Sequence, residues 1–260
     1  MLHSARDDTL RLHLIAEPRY GSALATTPEH CAATAAGIAS RHAKGVHDMT
    51  ASFLFDGPAD ARATILLAHG AGAPMDSASM NAAAAALAGA GFRLARFEFA
   101  YMAARRTGQS KPPPRAETLI PEYRAAVAAL AAPGPLFIGG KSMGGRVASM
   151  AADELHAAGR IAGLMCLGYP FHPPDKPEQL RTAHLAALAT PALICQGTRD
   201  AFGTRAEVET YALADTIEIL WLEDGDHDLK PRKSISGFTA AEHLKTLAET
   251  ARAWAQRIAP

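Results

Sequence analysis

Three cysteines in 260 residues, Cys31, Cys166 and Cys195, are too few and odd in number for a disulfide framework. No CxxC and no Cys/His spacing of the zinc-binding kind accompanies them, so the sequence implies no metal. Cys166 and Cys195 lie inside apolar runs, where a free cysteine behaves as a small hydrophobe. Neither sign of charge predominates, because 26 Lys and Arg balance 26 Asp and Glu. That balance lacks the electrostatic footprint of a nucleic-acid-binding protein. No apolar run reaches the ~18 residues a membrane helix needs. The opening residues Met-Leu-His-Ser-Ala-Arg-Asp-Asp lack a signal-peptide core. A cytoplasmic setting is expected, with no nucleic-acid or membrane partner. The oligomeric state is not legible.

What is present is a hydrophobic fraction of 48%, enough for one sizeable core. Residues 1–48 differ from the rest: they hold five of the eleven histidines and follow no clean period of two or 3.6. They read as a loose N-terminal extension, which an upstream start codon would explain, ahead of a domain over 49–260. From Met49 onward the chain alternates. Apolar strand segments are expected at 51–55, 63–68, 92–99, 135–138, 161–167, 192–196 and 217–222. Helices are expected at 78–90, 119–131, 143–158, 181–188, 205–213 and 239–258. Continuous apolar strands separated by helices imply an α/β fold, a mostly parallel sheet with helices on both faces. In such sheets function gathers in loops at the carboxyl ends of the strands.

Four of those loops carry chemistry. Pro135 to Ile138 reads as a buried strand running into Gly140-Lys141-Ser142-Met143-Gly144, which fits GxSxG, and a helix follows. Strand, sharp turn with Ser at the apex, then helix is the context of a nucleophile elbow. The motif alone arises by chance in about one chain in ten of this length, so its surroundings matter. After strand 63–68 comes His69-Gly70-Ala71-Gly72-Ala73, whose small residues let backbone N–H groups approach a ligand. With the N–H after the nucleophile, this loop makes Ala71 and Met143 the candidate oxyanion donors, and Gly72 a neighbouring one. After strand 192–196, Asp200 is a candidate acid; Asp175, after the preceding strand, is its rival. After strand 217–222, His227 lies in a polar loop where it would serve as general base. A cation site in that acidic loop, and ordinary turn roles for each residue, are the plainer alternatives. His69, His172, His184 and His243 are the competing histidines.

The chain order Ser142, Asp200, His227, each residue just past a strand, matches the order of the α/β-hydrolases. The sequence resembles that superfamily, and within it a branch of predicted hydrolases near dienelactone hydrolases. Relatives of that branch include testis-expressed proteins and a subunit of a chromatin-acetylating complex. The resembling stretches are LLAHGAGAPMD (66–76), FEFAYM (97–102), GGKSMGGRVAS (139–149), LGYPFHPPDKPEQLR (167–181), CQGTRDAFG (195–203) and LEDGDHDLKPRK (222–233). The resemblance implies an α/β-hydrolase fold and supports Ser142, Asp200 and His227 as catalytic, with Ala71 and Met143 as the oxyanion pair. It implies acyl transfer to Ser142 from a small-molecule ester or thioester, without metal or cofactor. A non-catalytic scaffold on the same fold is the alternative.

Residues 168–190 leave room for a small cap at most, so an open pocket is expected. Its candidate substrate-binding residues are Gly72, Tyr101, Met102, Tyr169, Phe171 and His172. The loop 103–115, with Arg105, Arg106, Lys111 and Arg115, would attract an anion or simply be a solvated basic loop. Gly-Lys-Ser also ends a phosphate-binding GxxxxGK[ST] loop, but Pro135 stands where its first Gly belongs.

Overall fold

The computed structural model describes residues 52–260 except Ser110 and Ala131. The expected extension over 1–48, with Cys31, lies outside the described residues. Seven strands, β1 (Leu54–Asp56), β2 (Thr64–Ala68), β3 (Arg93–Phe97), β4 (Leu136–Lys141), β5 (Gly163–Leu167), β6 (Ala192–Gly197) and β7 (Ile217–Leu222), form one sheet. Their order is β1-β3-β2-β4-β5-β6-β7. Only β1 runs antiparallel, against β3; every other neighbouring pair is parallel. Every residue of β2, β4, β5 and β6 is buried, as strands covered on both faces must be.

The period of two divides those strands between two cores. Leu66, Ile138, Leu164, Cys166 and Ile194 pack with helices α3 (Ile120–Leu130) and α4 (Met143–Ala157). Ile65, Leu67, Phe137, Met165, Leu193 and Cys195 pack with α1 (Ala78–Gly89) and α7 (Ala240–Ile258). Alanine fills most of α1, the residue with the lowest cost in a helix. A capping box, Thr239 with Glu242, opens α7, and its Trp254 packs on Phe137 with ring centroids 5.2 Å apart.

Two expected helices are much shorter than the sequence suggests. Residues 181–188 hold only a 3-10 turn at Leu185–Ala187, and 205–213 only α5 (Arg205–Val208). Both lie close ahead of a strand, and a helix recovers its nucleation cost only over several turns. Two short helices were not expected, α2 (Ala100–Arg106) and α6 (Lys233–Ser236). The phosphate-loop alternative is excluded, because Leu136 to Lys141 is fully buried strand rather than a cradle of exposed N–H groups. No described helix is long and apolar enough to cross a membrane.

Candidate active site

Ser142 stands between the end of β4 and the start of α4 with φ 52° and ψ −118°. A non-glycine residue held there costs of order 1–3 kcal/mol and persists only where its surroundings fix it. Here the Ser142 N–H donates to Leu167 O and the Arg146 N–H to Ser142 O, both at 3.0 Å. The glycines of the motif have a steric cause. A Cβ at Gly140 would lie 2.5 Å from Ala68 O and 2.7 Å from Gly144 C, and one at Gly144 would lie 2.5 Å from Ala68 O. Strand, serine and helix therefore turn this tightly only if both positions lack a side chain.

The β6 and β7 loops meet beside this elbow. A Cβ at Gly197 would lie 2.2 Å from Gly225 O, so the two chains cross at backbone contact. That crossing brings His227 Nδ1 to 2.8 Å from Asp200 Oδ2. Asp200 is fully buried, so its charge must be met by donors. Its Oδ2 also accepts from Gln196 Nε2 at 2.9 Å, and its Oδ1 from the Phe202 N–H at 2.9 Å. Asp175 is exposed and has no part in this network. The phenyl ring of Phe202 stacks on His227, centroids 4.1 Å apart. With Nδ1 turned to the carboxylate, Nε2 is the imidazole nitrogen left for a reactant. The Ser142 hydroxyl makes no hydrogen bond among the described residues.

Lys141 ties the two halves together. Its ammonium donates to His227 O at 2.7 Å and sits 3.5 Å from Asp228 Oδ1. Burial holds its pKa below the usual lysine value, and the charge of Asp228 acts against that fall. In the rest of the loop, Asp224 is bound by the Arg232 guanidinium and backbone N–H, which hold its carboxyl down to about 2. Asp226 pairs with Arg199. No group of carboxylate, His or Cys side chains among the described residues is arranged to hold a metal.

The competing histidines are tied up elsewhere. His69 donates from Nδ1 to Gly70 O at 2.6 Å and accepts from the Phe99 N–H at Nε2, shaping the loop before Ala71. Burial lowers its pKa. His243 Nδ1 donates to Leu229 O, and His172 Nδ1 to Pro173 O. His184 Nε2 lies 2.8 Å from Ser149 Oγ, a second Ser–His pair. Ser149 is buried within α4 and its hydroxyl proton goes to Arg146 O, so His184 donates to it and does not act as a base. This pair is a helix-to-loop tie.

Ala71, Ser142 and Met143 line one cleft of about 600 Å³, with Phe202, Pro113, Pro114 and Pro170. The Tyr101 hydroxyl donates to Ala71 O at 3.0 Å and so orients the peptide beside it. The expected substrate-binding residues fare differently. Gly72 is exposed off the lining, while Tyr101, Met102, Tyr169, Phe171 and His172 are buried behind it. The aromatic and apolar mass of Tyr101, Met102, Tyr169 and Phe171 lies in the core, where fully burying an apolar side chain such as Met102 or Phe171 stabilises by roughly 1.5–3 kcal/mol. None of them is among the residues that line the cleft. Of the basic loop, Arg105 donates to Lys111 O and Arg106 pairs with Glu98 and Asp76, so only Arg115 reaches the cleft.

Sequence reasoning missed Gln196, Phe202 and the cleft residues Arg146, Gln179 and Arg181. Gln196 did carry a signal, a polar residue inside the apolar run Ala192–Gly197. The cleft residues carried none, since exposed Arg and Gln are ordinary on any surface.

Solved structures share this architecture. A dienelactone hydrolase from Anabaena variabilis matches with TM-score 0.61 and 18% identity, over 83% of this chain and 95% of its own. An α/β serine hydrolase without lid from Xanthomonas campestris matches with TM-score 0.59 and 19% identity, over 80% and 89%. A thermophilic esterase from Thermogutta terrifontis, solved with malate bound, matches with TM-score 0.57 and 18% identity, over 81% and 94%. At these identities the likeness is one of fold. The family model described as alpha/beta hydrolase domain matches residues 61–256, and with an elbow, sheet order and loop arrangement of this kind the chain belongs to that family.

Proposed function

We propose that this chain is a serine hydrolase that cleaves a carboxylic ester or thioester through Ser142, His227 and Asp200. The observation that carries the reading is the 2.8 Å bond from His227 Nδ1 to a fully buried, triply bonded Asp200, beside a serine at a strained elbow. A buried carboxylate bonded to the imidazole fixes its tautomer and stabilises the imidazolium that forms in the reaction. Ser142 Oγ attacks the acyl carbon as His227 Nε2 takes its proton. The N–H groups of Met143 and Ala71 receive the oxyanion; Met143 opens α4, where first-turn N–H groups have no intrahelical partner. His227 then protonates the leaving alcohol or thiol. Water, activated by the same imidazole, releases the acid and restores Ser142.

The reading is supported by esterases among the structural neighbours and by a cleft that no lid domain covers among the described residues. Fluorophosphonate labelling of the purified protein beside Ser142→Ala tests it. Labelling of the parent and not of the variant is expected. A folded protein that takes no label would favour a non-catalytic scaffold.

A further inference from the structure

The cleft beside Ser142 carries more positive charge than its own carboxylate answers. Arg115, Arg146 and Arg181 all line it, against the single acid Glu117. Arg146 Nη2 donates to Glu117 Oε1 at 2.5 Å, and Arg115 is 3.9 Å from the same carboxylate. Arg181 has no ion-pair partner among the described residues, although it is half-buried. Its guanidinium is destabilised by burial and then by the charge of Arg146. The Nε of Arg146 is buried with no acceptor. A half-buried guanidinium with no counter-charge beside a second arginine is unfavourable, and an anion in the cleft that accepts from Arg181 relieves it.

Position fixes what that anion is attached to. The Arg146 N–H bonds Ser142 O, so Arg146 sits one helical turn along α4 from Ser142, roughly 5–6 Å away. An anion there belongs to the same small molecule as the carbonyl at Ser142. We infer that Arg146 and Arg181, with Gln179 beside them, form a subsite for a second carboxylate on a short acyl chain, making half-esters of short dicarboxylic acids the preferred substrates. This rests on the reading of Ser142 as the nucleophile, which supplies the reacting end of the molecule.

The test separates the two ideas. Calorimetry on Ser142→Ala, which cannot turn over, compares monoethyl succinate with its uncharged isostere, ethyl succinamate. Binding of the half-ester at least roughly tenfold tighter is expected. That preference should disappear when Arg181→Gln is added and persist when Arg124→Gln is added, since Arg124 lies outside the cleft, paired with Glu154. A pH-stat comparison of the same two esters on the parent should show the same ordering in kcat/KM. Equal binding of the two ligands, or a preference that survives Arg181→Gln, overturns the subsite even if fluorophosphonate labels Ser142. A preference lost in Arg181→Gln with no labelling of Ser142 supports the subsite and sinks the hydrolase reading instead.

Discussion

Replacing Lys141 with Met tests whether the residue before the proposed nucleophile holds the base loop in place. Methionine keeps an unbranched apolar stem, ends one atom short, and removes the charged donor. Two interactions are lost, and their sizes differ. Asp228 is about half exposed, so its 3.5 Å pairing with Lys141 is worth under about 1 kcal/mol. The 2.7 Å bond from the ammonium to His227 O is charged and largely buried; leaving that carbonyl without it costs about 1–3 kcal/mol. The carbonyl belongs to the proposed base itself, so the loop is expected to relax toward water and carry the imidazole with it. A displacement near 1 Å costs up to about a hundredfold in rate. The expected result for Lys141→Met is a kcat lower by about ten- to a hundredfold with KM little changed, and a slower fluorophosphonate reaction. Melting should fall by roughly 2–4 °C for each kcal/mol lost in a domain of this size. Asp228→Asn should stay near the parent, because the ion pair is the smaller effect. A Lys141→Met protein within twofold of the parent kcat, or an Asp228→Asn protein equally impaired, would refute this ranking.

Asp200→Asn should fold, since the amide still fits the Gln196 and Phe202 partners in part, yet lose activity by about 10⁴-fold because its NH₂ can force His227 into the wrong tautomer; ester hydrolysis measures this. Trp254→Ala should cost about 3–5 kcal/mol in chemical denaturation, with labelling per folded molecule unchanged, because it empties the space against Phe137 far from the cleft. Trp254→Phe should cost much less, since the indole N–H it removes is buried without a partner. Acid should weaken the fold in two windows. Burial holds His69 below its usual 6.5, so the unfolded chain binds the proton more readily and stability falls as pH drops through 6.5. Arg232 holds Asp224 near 2 against the usual 3.8, so its share is present above 3.8 and is lost between 3.8 and 2. A melting temperature that is flat or rising from pH 7 to 5.5 would contradict the first window.

The sheet was legible because burial on both faces leaves continuous apolar runs, and β7 lies over the residues expected, Ile217–Leu222. Positions in the short connections were not, since 3-10 turns and single-turn helices are set by the spacing of fixed strand ends rather than by local pattern. The proposed reacting residues were legible for a topological reason: each stands just beyond a parallel strand, so strand ends in the sequence mark them. Substrate contacts follow no such rule. The aromatic residues expected to make them, Tyr101, Tyr169 and Phe171, are buried in the core, where large aromatic area contributes most to packing.

What lines the cleft comes from segments of unrelated kind: the 3-10 turn that contains Ala116 and Glu117, the first turn of α4, and the irregular stretch holding Gln179 and Arg181. Only the fold juxtaposes them, so no spacing in the chain announces the cluster. Charge makes the juxtaposition informative. Apolar linings are tolerated in any concavity, but guanidinium groups repel one another, and a fold has no structural need to set an unpaired Arg181 beside Arg146. The arrangement also divides labour along one helix. The residue that caps α4 is the proposed nucleophile, and the helix's first turn supplies both Arg146 and the proposed oxyanion N–H of Met143. Reactivity and selectivity are therefore mechanically linked through the same rigid element. On the proposed reading, a change at Arg146 alters which acyl group is held at Ser142 and leaves the Asp200–His227 pair untouched, because that pair is anchored from the loops after β6 and β7.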